Sequence, residues 1–149
     1  MPHLPTLEDV LSRYRTQVFL DIELKIPGLT EIVLDDLRRH RREHGFVISS
    51  FLPEVLFELR RRNHSIRLGI IFEQHAPRWQ ELPIDCVMAE KSLITRTLVD
   101  QVHDAGKRLF AWTVNERAAM LRFAHWGVDG IISDTTELLV GTLRDENSR

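Results

Sequence analysis

The chain has 149 residues, 43% of them apolar and 28% charged, with a formal net charge of -2. That balance excludes a disordered or collagen-like polymer, and no run approaches the roughly 20 apolar residues that a membrane-crossing helix requires. The near-neutral charge gives no reason to expect nucleic acid or an anionic membrane as partner. The lone cysteine, Cys86, has no partner for a disulfide within the chain, so nothing demands an oxidising compartment. Residues 1–9 lack the basic-then-apolar pattern of a secretory leader. The expectation is a single domain over residues 1–149 of a cytoplasmic protein.

In chain order, six short β-rich runs alternate with longer amphipathic stretches. Thr6-Leu-Glu-Asp9 predicts a helix start, an acid three residues on answering the cap. The first strand is predicted over Val18–Leu24, followed by a helix from Thr30 to His44 with Ile32, Val33 and Leu37 inward and Arg38–Arg42 outward. A second strand lies at Phe46–Ser49, and Arg60–Arg62 read as a solvated helix face. The third and fourth strands fall at Ile66–Phe72 and Asp85–Ala89. Ile94, Leu98, Val99, Val102 and Ala105 recur at helical spacing and share one face. A fifth strand runs over Arg108–Val114, Asn115-Glu116 open the next helix, and the sixth strand spans Asp129–Ser133. Asp134-Thr-Thr-Glu137 reads as a further helix start. Gly45, Gly106 and Gly127 stand where helices should stop.

Alternating strands and helices imply parallel strands joined by crossovers. Six units are too few for a closed eight-unit barrel of about 250 residues. No glycine-rich phosphate loop follows the first strand, as an open doubly wound sheet would lead one to expect. The fold class is therefore α/β, a partial TIM-type (β/α) barrel of about six βα units.

In such folds reactive groups gather at the carboxyl ends of the strands. Those ends carry Glu23 and Lys25, Ser49-Ser-Phe51, Phe72-Glu73, Glu90-Lys91, Trp112–Asn115 and Ser133-Asp134. Glu23 and Lys25 are two apart, so both project to the same side of a strand. A carboxylate and an ammonium there suit a hard cation and a phosphate oxygen. A strand-end salt bridge is the plainer reading of the same spacing. Trp112 and Phe51 read as a ligand wall or as core, and Asp134 as a cap rather than a catalyst. Ser49 and Ser50 lack a nucleophile elbow. The seven histidines are scattered without metal-ligand spacing and read as solvated surface groups.

Five segments in order resemble the C-terminal two-thirds of the glycerophosphodiester phosphodiesterase family: Pro5–Leu11, Ile22–Lys25, Val47–Phe51 with Pro53-Glu54, Trp112–Asn115 and Gly127–Asp134. The resemblance implies a phosphatidylinositol-phosphodiesterase-like barrel without its first two strands. It implies a phosphoric diester hydrolase that releases sn-glycerol 3-phosphate and an alcohol from glycerophosphodiesters, in lipid and glycerol metabolism. Glu23 is then one ligand of a divalent cation (Mg or Ca), Lys25 a neighbour of the substrate phosphate, and Phe51 and Trp112 the apolar wall beside the glycerol. The family's His-Arg-Gly, Glu-x-Asp and His-Asp motifs are absent, so no acid/base histidine is retained, and Thr135-Thr136 replace a family proline. The expectation is a chain that is weak or inactive alone. Its open sheet edges would lead it to self-associate or to need a completing segment. The alternatives are a non-catalytic remnant of the barrel, or a generic (β/α) phosphate site near Gly127–Asp134.

Overall fold

The computed structural model describes residues 4–14, 16–40 and 45–147. Six parallel strands, β1 (Leu20–Glu23), β2 (Phe46–Ser50), β3 (Leu68–Phe72), β4 (Cys86–Glu90), β5 (Arg108–Trp112) and β6 (Gly130–Ile131), lie side by side in sequence order. Helices α1 (Leu7–Tyr14), α2 (Thr30–Arg39), α3 (Pro53–Arg62), α4 (Arg96–Asp104), α5 (Arg117–Trp126) and α6 (Thr136–Asn147) precede, separate and follow them. The order β1 to β6 without interruption is that of a barrel wall, and among the described residues β1 and β6 each pair with one neighbour. The partial (β/α) barrel expected from the sequence is thus the fold found.

Strand alternation sorts the apolar residues into two layers. Ile48, Leu68, Ile70, Val87, Leu109 and Ala111 face the helices and form the main core with Leu11, Leu37, Leu56, Leu59, Val99, Val102 and Phe123. The opposite, concave face buries Val47, Ile71, Cys86 and Met88, with Phe110 and Trp112 packed against them. Gly130 fits this face by size: a Cβ there would lie 2.4 Å from the Phe110 ring, which rests directly on the β6 backbone.

Helix ends follow their local chemistry. Thr6 and Asp9 form a reciprocal box at the start of α1, the Asp9 carboxylate accepting the Thr6 N–H at 2.8 Å and the Thr6 hydroxyl accepting the Asp9 N–H at 3.2 Å. The Thr95 hydroxyl accepts the Leu98 N–H at the start of α4, a cap worth about 1 kcal/mol. Gly127 closes α5 in the left-handed conformation, φ +82°, open to glycine without steric cost.

Several sequence expectations need correction. The second helix ends at Arg39, and Arg41–His44 lie outside the described residues, as does His3. Arg60 does not lie on a solvated face: its guanidinium donates to the carbonyls of Pro83, His64 and Ile66 and to the Asp85 carboxylate. It anchors α3 beneath the sheet. His40 is also not freely solvated, its ring standing 3.4 Å from Glu8 with one-fifth of its side chain exposed. α6 begins at Thr136, so Asp134 lies ahead of the capping position.

Candidate functional site

Asp21, Glu23 and Lys25 alternate along β1 and its extension, while Leu20, Ile22 and Leu24 pack toward the helices. This puts three charged side chains on the concave face near the carboxyl ends of the strands. A cavity of about 420 Å³ opens there, lined by Asp21, Glu23, Lys25, Phe51, Glu73 and Trp112, with Ile71, Met88, Thr113 and Ile132 completing its wall. All four residues singled out from the sequence, Glu23, Lys25, Phe51 and Trp112, meet in this one space.

The Lys25 ammonium donates to Glu23 Oε1 at 2.9 Å. The strand-end salt bridge is therefore real, and it forms part of the cavity wall. Its Lys25 side chain is 75% exposed, and an exposed pair contributes only about 0–1 kcal/mol. Exchanging it for a cation on the carboxylate and a phosphate oxygen on the ammonium costs little.

Asp21 is the residue that the sequence reading missed. Its position two before Glu23 in the same strand was the available signal. The Ser49 hydroxyl donates to Asp21 Oδ1 at 2.7 Å, across the register pair Asp21–Val47 and Glu23–Ser49 of β1 and β2. Burial of the carboxyl pushes its pKa above 3.8; the Ser49 bond pulls against that and the Glu23 charge adds to it. Ser49 is thus engaged as an orienting donor. Ser50 donates to the Leu24 carbonyl at 2.6 Å and accepts the Leu52 N–H, so neither serine is poised as a nucleophile.

Phe51 and Trp112 meet edge to face, ring centroids 5.9 Å apart and planes at 87°, an arrangement aromatic quadrupoles favour. The Trp112 indole N–H donates to the Met88 carbonyl at 3.1 Å, which fixes the ring. The Trp112–Thr113 peptide bond is cis. Phe51 keeps 41% of its surface exposed, so this pair is a wall rather than core.

Other strand-end groups are engaged elsewhere. Glu90 accepts the Ser92 N–H at 2.7 Å, and Lys91 donates to Glu116 at 2.9 Å, holding the Glu116 carboxyl below 4.5. Asn115 donates to Asp134 and accepts from the Ser133 hydroxyl and the Asp134 N–H. These bonds tie Ser133 and Asp134 to Asn115.

The donor chemistry at β1, hard carboxylate oxygens, suits Mg or Ca. Among the described residues, however, no three His, Cys, Asp or Glu side chains come together to hold a metal ion, and such cations take six or more oxygens. These residues do not complete a shell. None of the described histidines lines the cavity either.

A curled parallel α/β wall with an anionic–cationic pair and an aromatic wall at its carboxyl rim is the frame of a (β/α)-barrel site. The sequence pattern of the Glycerophosphoryl diester phosphodiesterase family matches residues 1–138, and the chain belongs to that family. It is 28% identical over 151 residues to a glycerophosphodiester phosphodiesterase of Caldanaerobacter subterraneus, covering 95% of this chain and 62% of that protein. The Bacillus subtilis glycerophosphodiester phosphodiesterase is 25% identical over 153 residues, 91% of this chain and 52% of that one. The chain thus spans less than two-thirds of the length of these relatives. Its fold matches an Oleispira antarctica phosphodiesterase solved with the product sn-glycerol-3-phosphate, with TM-score 0.83, 24% identity, and coverage of 94% and 61% of the two chains. A Parabacteroides distasonis glycerophosphodiester phosphodiesterase also superposes, with TM-score 0.83, 21% identity, and coverage of 96% and 65%. No helix among the described residues is long and apolar enough to cross a membrane.

Proposed function

We propose that this chain carries part of the site of a glycerophosphodiester hydrolase, which cleaves glycerophosphodiesters to sn-glycerol 3-phosphate and an alcohol in lipid and glycerol metabolism. The supporting observation is the convergence of Glu23, Lys25, Phe51 and Trp112 on one cavity at the carboxyl rim. Lys25 supplies positive charge to the phosphoryl oxygens, and the Phe51–Trp112 pair lies against the carbon face of the glycerol. Glu23, with Asp21 beside it, contributes oxygen to a divalent cation (Mg or Ca) whose remaining holders lie outside these residues. When bound, such a cation neutralises phosphoryl charge. General acid/base help, typically worth 10²–10⁴-fold, has no imidazole to supply it among the cavity residues described, so this chain alone is weak or inactive.

A second reading, a non-catalytic remnant that keeps the phosphate-holding half, is favoured by the incomplete cation set. In either case the open edges of β1 and β6 pair with a second copy or with a completing segment. A cytoplasmic setting belongs to the same proposal and agrees with Cys86 as a buried free thiol.

The test is calorimetric titration of sn-glycerol 3-phosphate into the 149-residue protein with Mg or Ca present, beside a turnover assay on glycerophosphocholine. The expected result is weak binding that Lys25→Met and Glu23→Gln both abolish, with no measurable turnover. Absence of binding by the native chain overturns the site assignment. Metal-dependent turnover abolished by Glu23→Gln overturns its incompleteness.

A further inference from the structure

The cavity at the carboxyl rim carries more negative charge than a phosphate-holding role asks for. Three carboxylates line it, those of Asp21, Glu23 and Glu73, against the one ammonium of Lys25. Two of the three have partners: Glu23 accepts from Lys25 at 2.9 Å, and Asp21 from the Ser49 hydroxyl at 2.7 Å. Glu73 is exposed and has no hydrogen-bond or ion-pair partner among the described residues. A ligand that brought only a phosphate would meet this carboxylate as a like charge, which disfavours it.

Strand register fixes where Glu73 stands. β2 lies between β1 and β3, with Glu23 opposite Ser49 and Ser50 opposite Ile70. Continued by one or two residues, that register sets Lys25 level with Phe51 and Ile71. Glu73 is one cavity-facing step farther out, because it shares the concave side with Ile71. The Lys25 and Glu73 backbones are therefore about 10 Å apart across the sheet and about 7 Å apart along it, two strand spacings and one side-chain period. Both side chains are long, and the space between them suits a phosphate ester of a short amino alcohol.

The remaining lining narrows the choice of alcohol. Around Glu73 the wall is apolar, with Ile71 on its own strand and Met88 on the next. Thr113 gives the one side-chain hydroxyl of the lining, and the Trp112 indole N–H already donates to the Met88 carbonyl. A polyol such as glycerol or inositol would find few side-chain partners here. An ammonium on a short carbon chain suits both features, its charge at Glu73 and its methyl or methylene groups on the apolar wall.

We infer that Glu73 selects the alcohol half of the substrate: its carboxylate receives the ammonium of a zwitterionic glycerophosphodiester, of the glycerophosphocholine or glycerophosphoethanolamine kind. This deepens the function proposed above and rests on it for the phosphate at Lys25.

The experiment is calorimetric titration of the 149-residue chain with glycerophosphocholine, glycerophosphoglycerol and sn-glycerol 3-phosphate, at low ionic strength, with Mg absent and with Mg present. The native chain should bind the choline diester about fivefold more tightly than the glycerol diester, the worth of one ion pair at about 4 Å in water. Salt at about 0.15 M should narrow that gap. Glu73→Gln should bring the two diesters to equal affinity, and Glu73→Lys should make glycerophosphoglycerol the tighter ligand. Glu73 is exposed, and circular dichroism verifies that both variants fold. A preference that outlives Glu73→Gln overturns the inference. So does a loss on sn-glycerol 3-phosphate as large as that on glycerophosphocholine, or a loss of Mg binding, since either places Glu73 at the phosphate end. A native chain that binds sn-glycerol 3-phosphate yet treats the two diesters alike overturns the inference and leaves the hydrolase reading standing. A chain that binds none of the three overturns both.

Discussion

The two rims of the sheet use the same functional group for opposite ends. At the amino-end rim, Asp129 accepts the Leu109 N–H at 2.8 Å and the His103 ring at 2.9 Å. Asp85 likewise accepts the Leu68 N–H at 2.9 Å and the Arg60 guanidinium at 2.8 Å. Each aspartate sits just ahead of its strand and staples it to the strand before, while its own N–H reaches back to the same neighbour, Leu109 or Leu68. At the carboxyl-end rim, Asp21, Glu23 and Glu73 face a cavity, and Glu23 is held by an exposed lysine. A carboxylate saturated by backbone and a cation stabilises the fold. One left with open coordination is available for chemistry. At the carboxyl rim both kinds occur, since Glu90 and Asp134 there accept loop hydrogen bonds.

That contrast can be broken by exchanging what each rim loses. The largest effect belongs to Glu23→Gln. Divalent-cation affinity and any turnover should fall by about 10² or more, since a cation contributes several kcal/mol of charge stabilisation, while the melting temperature stays unchanged. A melting temperature that drops with it would make Glu23 a staple like Asp129. Next is Asp129→Ala, which strands the Leu109 N–H and should cost about 2 kcal/mol. Urea unfolding should show this, with sn-glycerol 3-phosphate affinity unaltered. Phe51→Ala should weaken glycerol 3-phosphate binding by roughly tenfold, the order of one lost aromatic contact, with little loss of stability because Phe51 is already solvent-exposed.

An effect confined to alkaline pH lies at the start of β4. Burial, with Asp85 nearby, pushes the Cys86 thiol from 9.0 up to about 11. Between those values the unfolded chain has released the proton and the native chain keeps it, so stability falls as pH rises through this window and is unaffected below it. Cys86→Ala should remove that slope in pH-dependent unfolding. A slope that persists in the variant assigns the effect to other groups.

The sequence made the architecture readable because periodicity and punctuation agree. Six β-rich runs became six strands, and Gly127 ended a helix where expected. Strand ends were less legible: Val18 and Phe19 precede β1, and β6 is only two residues long. Hydrophobicity there marks side chains flanking an edge rather than ladder hydrogen bonds. At the site, Glu23 and Lys25 were visible from their two-residue spacing, but Asp21 was hidden inside an apolar run. Arg60 was misread because it sits in a run of arginines. Its contacts with Pro83 and Asp85, 23 and 25 residues away, exist only once α3 and the β4 approach are packed.

The anchoring of Trp112 makes the molecule its own optical gauge. Its indole is pinned to the Met88 carbonyl and set edge-on to Phe51 at the cavity wall, while Trp79 is sealed at 2% exposure far along the chain. Anything that settles into the cavity must displace solvent from the Trp112 ring, so emission colour and quenching should follow occupancy once Trp79 and Trp126 are exchanged for phenylalanine.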